Sequence, residues 1–206
     1  MHLEAINSEG QKIFKKLKNF PQFYLAGGTA LALQIGHRIS EDFDLFSEGD
    51  IPSNLIQKIE KVFKDEKIKV VISHPEQLSL IIGKSKVEFI KYPFPLILDV
   101  VEYEKVKIAQ VCEIGAMKAY NLERRASYKD YVDLFFIISE GHCSLLKIIK
   151  ICKKKFKEKF DQRLFLEELV YLEDVKEEPI DFLKKKVSKK EIEKFFQKEI
   201  KKIKLE

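Results

Sequence analysis

The chain has no tryptophan, two methionines, six prolines and eight glycines in 206 residues. No apolar run approaches the eighteen or so residues of a bilayer span, which excludes a helical membrane protein. The opening stretch, MHLEAINSEGQKIF, has no signal-peptide apolar block, so the expected compartment is the cytoplasm. Cysteine is scarce as well. Cys112, Cys143 and Cys152 are odd in number and share no C-x-x-C spacing, which predicts reduced thiols with neither a disulfide framework nor a zinc site. His2, His37, His74 and His142 form no pair at metal-ligand spacing. Arginine is rare: Arg38, Arg124, Arg125 and Arg163 are the only four among 38 basic residues.

What is present is an ordinary hydrophobic content of 45% and a high charged content of 34%. Abundant lysine and glutamate without tryptophan reads as a signature of high growth temperature as much as of function. The charge is unevenly placed. Residues 141–206 carry a balance of +6 and residues 1–140 a balance of −1, an asymmetry compatible with a polyanionic partner.

Along the chain, Ile6, Ile13, Phe14, Leu17 and Phe20 recur at helical spacing before Pro21. Residues 23–26 read as a short strand, residues 29–35 as a helix opening on Gly27-Gly28, and residues 42–46 as a strand of period two. A helix follows Pro52. Three strand-like runs, near residues 69–73, 78–82 and 87–90, lie too close together for parallel crossovers and so predict an antiparallel meander. After Pro93 and Pro95 helices are expected throughout, at about 111–124, 127–139, 144–158, 161–172 and 188–203. The last opens on a capping-box pattern, Ser188 to Glu191. The expected fold class is α+β, with a mixed-sheet domain over residues 1–105 and an all-helical, basic domain over residues 106–206.

One stretch concentrates chemistry. Gly27-Gly28-Thr29 is followed by Asp42-Phe43-Asp44. Residues two apart on a strand share a side, so both aspartates aim together while Phe43 faces the other layer. Paired carboxylates repel unless a cation lies between them, and hard oxygen donors in an open arrangement suit Mg²⁺ or Mn²⁺ bridging to phosphates. A diglycine has no Cβ to hold a phosphate away, and the helix after it offers free N–H groups and a positive dipole end. Gly27, Gly28 and Thr29 are therefore the candidate triphosphate cradle, and Asp42 and Asp44 the candidate metal ligands. A third carboxylate is expected at Glu88, within Val87-Glu88-Phe89-Ile90; Asp99 competes but follows two prolines.

A second cluster holds Lys118, Arg124, Arg125, Lys129, Asp130 and Asp133, and with it two of the four arginines. Arginine is favoured where a planar fork must grip phosphate, so this group is expected to balance triphosphate charge. Lysines in Lys153-Lys154-Lys155-Phe156-Lys157-Glu158-Lys159-Phe160 suit an RNA backbone, with Phe156 and Phe160 as core. His37 and Arg38 are not assigned a contact with substrate.

The phrases LAGGTALALQIGHRISEDFDLF (Leu25 to Phe46), VEFIKYPF (Val87 to Phe94) and MKAYNLERRASYKDYVDLFFI (Met117 to Ile137) resemble the AbiEii/AbiGii toxin family of minimal nucleotidyltransferases, within the DNA polymerase β-like superfamily. The resemblance implies that Gly27, Gly28 and Thr29 bind nucleotide phosphates and that Asp42 and Asp44 bind Mg²⁺. It places Glu88 where the third carboxylate stands, a position often aspartate. It matches Lys118, Arg124, Arg125, Lys129 and Asp130 to a downstream basic–acidic motif. It further implies a phage-defence toxin with a cognate antitoxin, adding a nucleotide from an NTP to the 3′ end of tRNA. The alternative from a different class is an inactive nucleotide-binding or protein-interaction module of the same fold.

Overall fold

Short apolar runs cut by Gly and Pro become strands, and longer runs of helical period become helices. The computed structural model, which describes residues 1–203, divides into two units, Met1–Gln110 and Val111–Glu206. The expected boundary at 105/106 falls inside a hairpin of the first unit.

The first unit begins with a single 3₁₀ turn, Leu3–Ala5, and then α1 (Ser8–Leu17). Asn7 separates them because its side chain accepts from the Gly10 N–H at 2.8 Å and caps the helix. There follow β1 (Tyr24–Ala26), α2 (Gly27–Ile35), β2 (Phe43–Ser47), α3 (Leu55–Val62), β3 (Ile68–His74), β4 (Gln77–Ile82), β5 (Ser85–Lys91), β6 (Val101–Tyr103) and β7 (Val106–Ile108). The strands form one mixed sheet in the order β3-β4-β5-β2-β1-β7-β6. β3, β4 and β5 are the expected meander, and β5 returns parallel to β2.

Alternation sets the layers. On β2, Phe43, Leu45 and Ser47 are buried, while Asp44 and Phe46 between them are half-buried. Val87 and Phe89 on β5 continue the buried side. Phe89 meets Phe20 at 5.3 Å and Phe23 at 4.9 Å between ring centroids, and Phe20 stacks on Phe63 at 6.4 Å. Burying each such ring is worth about 2–3 kcal/mol, so this aromatic layer anchors the strands that bear the carboxylates.

β6 and β7 were not expected from the sequence, where the chain beyond Pro95 reads as helical. Their turn is made by Glu104 and Lys105, both with positive φ (49° and 64°), where the usual signal is Asn-Gly or Asp-Gly.

The second unit contains α4 (Val111–Leu122), α5 (Tyr128–Ser139), α6 (Leu145–Phe156), α7 (Gln162–Val170) and α8 (Lys189–Lys201), and is all-helical as expected, apart from a 3₁₀ turn at Lys157–Lys159 and irregular connections. α4 is buried along most of its length, with Ile114, Ala116 and Ala119 fully enclosed. Gly115 lets α6 approach closely, since a Cβ there would lie 3.1 Å from Ile148 Cδ1. Two pairings accompany that packing. Glu113 and Lys155 form a fully buried ion pair at 2.6 Å. Cys112 and Cys143, with Cα atoms 5.4 Å apart, form a disulfide. The expectation of three reduced thiols is thus corrected. The two cysteines stand 31 residues apart in sequence, Cys112 on α4 and Cys143 in the connection between α5 and α6, so their pairing depends on the tertiary packing of the helices. Cys152 stays free and buried. Among the described residues no helix is long and apolar enough to cross a membrane.

Candidate active site

Sheet register assembles the site. Asp44 pairs with Ala26 on β1 and with Glu88 on β5, and Glu88 pairs with Ser79 on β4. Ala26, Asp44, Glu88 and Ser79 therefore form one row across four strands. Ala26 is also the residue from which α2 springs, so the row ends on the diglycine. Gly27 has φ +71°, and a Cβ on it would overlap the Asp44 carboxylate. The backbone of residue 27 and the acid of residue 44 can meet only because that atom is missing. No side-chain hydrogen bond caps α2 at Ala26, and its positive N-terminal end begins at Gly27, beside Asp44.

Asp42 lies one residue before β2, exposed, on the side shared with Asp44. Thr29 differs from the expectation of a phosphate contact. It is fully buried, its hydroxyl donates to the Asp42 carbonyl oxygen, and Ser40 Oγ lies 2.8 Å away. Its work is to fix the segment that presents Asp42.

Glu88 is held on both oxygens. Gln77 Nε2 at 2.9 Å and the Ser79 hydroxyl donate to Oε1, and Lys86 Nζ donates to Oε2 at 2.6 Å. Burial raises the Glu88 pKa, but the hydrogen bonds from Lys86, Ser79 and Gln77 outweigh it and hold the carboxyl below its ordinary value. Lys86 is pushed the other way. Its hydrogen bond to Glu88 raises its pKa against partial burial, and the charges of Glu88, Asp42 and Asp44 add to the rise. As it stands, Glu88 is a partner of Lys86 and not an open third metal ligand, which departs from the three-carboxylate expectation. Among the described residues no three His, Cys, Asp or Glu side chains gather as a metal cage. Asp42 and Asp44 by themselves still fit Mg²⁺, which takes one or two carboxylates and completes its shell with water and phosphate oxygens.

Two cations escaped the sequence reading. Lys86 is one. Arg38 is the other: it is buried, its Nη1 donates to the Ile39 carbonyl at 3.0 Å, and a Cβ on Gly28 would come within 2.6 Å of its Nη2. A guanidinium thus lies against the second glycine of the diglycine turn. The signal was present, because an arginine in so lysine-rich a chain marks a site where fork geometry matters.

The downstream cluster, taken within its own unit, is mostly an internal network. Lys118 bridges Asp130 at 2.7 Å and Asp133 at 2.6 Å, and is almost completely buried. Arg124 lies over the Tyr120 ring at 3.4 Å and donates to the carbonyls of Tyr120 and Lys159, each at 2.8 Å. Lys129 pairs with Glu178 at 3.6 Å. Arg125 is exposed. On α6 and just beyond, Lys147, Lys150, Lys153, Lys154, Lys157 and Lys159 are exposed, whereas Lys155 is spent on Glu113. Phe156 and Phe160 are core, as expected.

Known proteins share the family and the fold of this chain. The family model described as nucleotidyl transferase AbiEii toxin, type IV TA system, matches residues 12–206. An uncharacterised protein of Aquifex aeolicus (strain VF5) is 31% identical over 181 residues, covering 87% of this chain and 86% of its own. Two solved structures share the fold. MenT4, a nucleotidyltransferase toxin of Mycobacterium tuberculosis H37Rv, aligns with a TM-score of 0.56 at 15% identity, over 94% of this chain and 84% of that one. A nucleotidyltransferase-type protein of Helicobacter pylori aligns with a TM-score of 0.53 at 20% identity, over 80% and 76% of the two chains.

Proposed function

This chain belongs to the AbiEii nucleotidyltransferase toxin family, and from that premise we propose that it moves a nucleotide from a metal-bound NTP to the 3′-terminal hydroxyl of an RNA, tRNA being the first candidate. The observation that supports this reading best is the in-register row of Ala26, Asp44 and Glu88 closed by the Cβ-free approach of Gly27 to Asp44.

In this reading the N–H groups of Gly27 and Gly28 and the first turn of α2 bind the phosphates, with the Arg38 guanidinium beside them. Asp42 and Asp44 hold Mg²⁺ or Mn²⁺, which when bound neutralises triphosphate charge and polarises the phosphate under attack. One of Asp44 and Glu88, neighbours across β2 and β5, accepts the proton of the attacking hydroxyl as its oxygen bonds to the α-phosphorus and pyrophosphate departs. Thr29 keeps Asp42 in position through its carbonyl. Lys118, Arg124, Lys129 and Asp130 brace the helical unit, while Arg125 and the exposed lysines of α6 supply positive surface for a polyanion. The protein acts in the cytoplasm as the toxin of a phage-defence pair, restrained by a cognate antitoxin.

The test is incubation with each α-labelled NTP, Mg²⁺ and either total RNA or a protein lysate. Label in a tRNA band is the expected result. NTP binding with no covalent product contradicts the transfer, and label confined to protein contradicts the RNA acceptor.

A further inference from the structure

Lys86 has no part in that mechanism, yet it lies at the acidic site, bonded to Glu88. It precedes Glu88 by two residues on β5 and so shares its face. Its ammonium lies 2.6 Å from Glu88 Oε2. The parallel pairing of Phe43 with Val87 places Asp42 and Lys86 one step earlier on their respective strands, side by side. Lys86 therefore stands on the face of the sheet that carries the three carboxylates, bonded to Glu88 and close enough to Asp42 and Asp44 to feel their charge. Elementary electrostatics requires such a charge, since Asp42, Asp44 and Glu88 repel one another in a partly desolvated row.

The two partners are not equally fixed. The Lys86 side chain is 44% exposed and that of Glu88 13%. Glu88 Oε1 keeps its bonds from Gln77 and Ser79 whatever Lys86 does. The lysine can swing away on its four-carbon stem without uncovering core, and the glutamate stays in place. An ammonium and a divalent ion cannot share this space, because like charges a few ångströms apart repel strongly at the effective dielectric of a protein surface.

We propose that Lys86 is a built-in counter-ion: it neutralises the Asp42–Asp44–Glu88 row in the nucleotide-free protein and competes with divalent metal for it. Free metal then binds weakly, and metal arriving on a triphosphate binds well, because the phosphates receive the displaced ammonium. The device selects the metal–nucleotide complex over the bare ion. It also turns Glu88 from a partner of lysine into an open carboxylate only when substrate is present. This inference rests on the reading that Asp42 and Asp44 are the metal ligands.

The experiment is titration of the full chain with Mn²⁺ in the absence of nucleotide, followed by the electron paramagnetic resonance signal of the free ion. Wild type, K86M, K86R, D44N and K86M/D44N are compared, with circular dichroism to establish folding. K86M is expected to bind Mn²⁺ at least tenfold more tightly than wild type, K86R to match wild type, and K86M/D44N to lose the tight site. Should K86M fail to fold, K86Q, which removes the ammonium and leaves all three carboxylates, supports the same comparison. Equal affinity in K86M and wild type, with loss in K86M/D44N, overturns the counter-ion and leaves the metal ligands standing. Binding unaffected by D44N in either background overturns both.

Discussion

Gly27 and Asp44 show how much one missing atom decides. At φ +71° any other residue is strained, and its Cβ would occupy the space of the Asp44 carboxylate. Gly27→Ala is expected to cost about 1–3 kcal/mol in stability and to remove transfer activity, read by thermal melting and by the labelled-NTP assay. The buried Glu113–Lys155 pair gives the opposite kind of prediction, one of stability alone. Lys155→Met strands a buried carboxylate and is expected to cost about 3–5 kcal/mol in urea unfolding; E113L/K155M, which removes both charges, recovers most of it. At this scale the sequence was legible where spacing alone fixes a side chain. Period two on a strand put Asp42 and Asp44 on one side, and a diglycine before a helix marked the close approach of backbone to the Asp44 carboxylate. It was illegible where a role depends on a partner from another strand. Lys86 reads as a surface lysine until β5 is laid beside β2, and Thr29 reads as a phosphate contact until its hydroxyl is found on the Asp42 carbonyl.

Elements with strong local signals formed where they were expected. The capping box at the start of α8 is one: Ser188 Oγ lies 3.3 Å from the Glu191 N–H, and the Glu191 carboxylate accepts from the Ser188 N–H at 2.8 Å. Ser188→Ala is expected to lower the stability of the helical unit by about 1 kcal/mol, measured by denaturant unfolding followed at 222 nm. The β6–β7 hairpin shows the converse. Three-residue strands joined by Glu104 and Lys105 offer neither a clear alternation nor a glycine at the turn, so local pattern has nothing to register. Pairing to β1 through Leu25 and Ile108 is what holds them, and that is a contact between residues far apart in sequence.

For the whole molecule, composition and covalent structure point the same way. A lysine- and glutamate-rich composition and a disulfide between Cys112 and Cys143 both favour stability at high temperature. Burial raises the Cys152 pKa, so that thiol is unreactive in the native state. Thiol titration with Ellman's reagent is therefore expected to find none reacting in the native protein, one after unfolding without reductant, and three after unfolding and reduction. Three reactive thiols without reductant would contradict the disulfide. The reading of function depends on a different convergence, that of residues 42 and 44 with the turn at 27–28. Its most direct measurement is nucleotide transfer by D42N/D44N beside wild type, with labelled NTP, Mg²⁺ and total RNA, on protein shown by circular dichroism to be folded. The account predicts labelled RNA from wild type and none from the double variant; a folded double variant that labels RNA at the wild-type rate would contradict it.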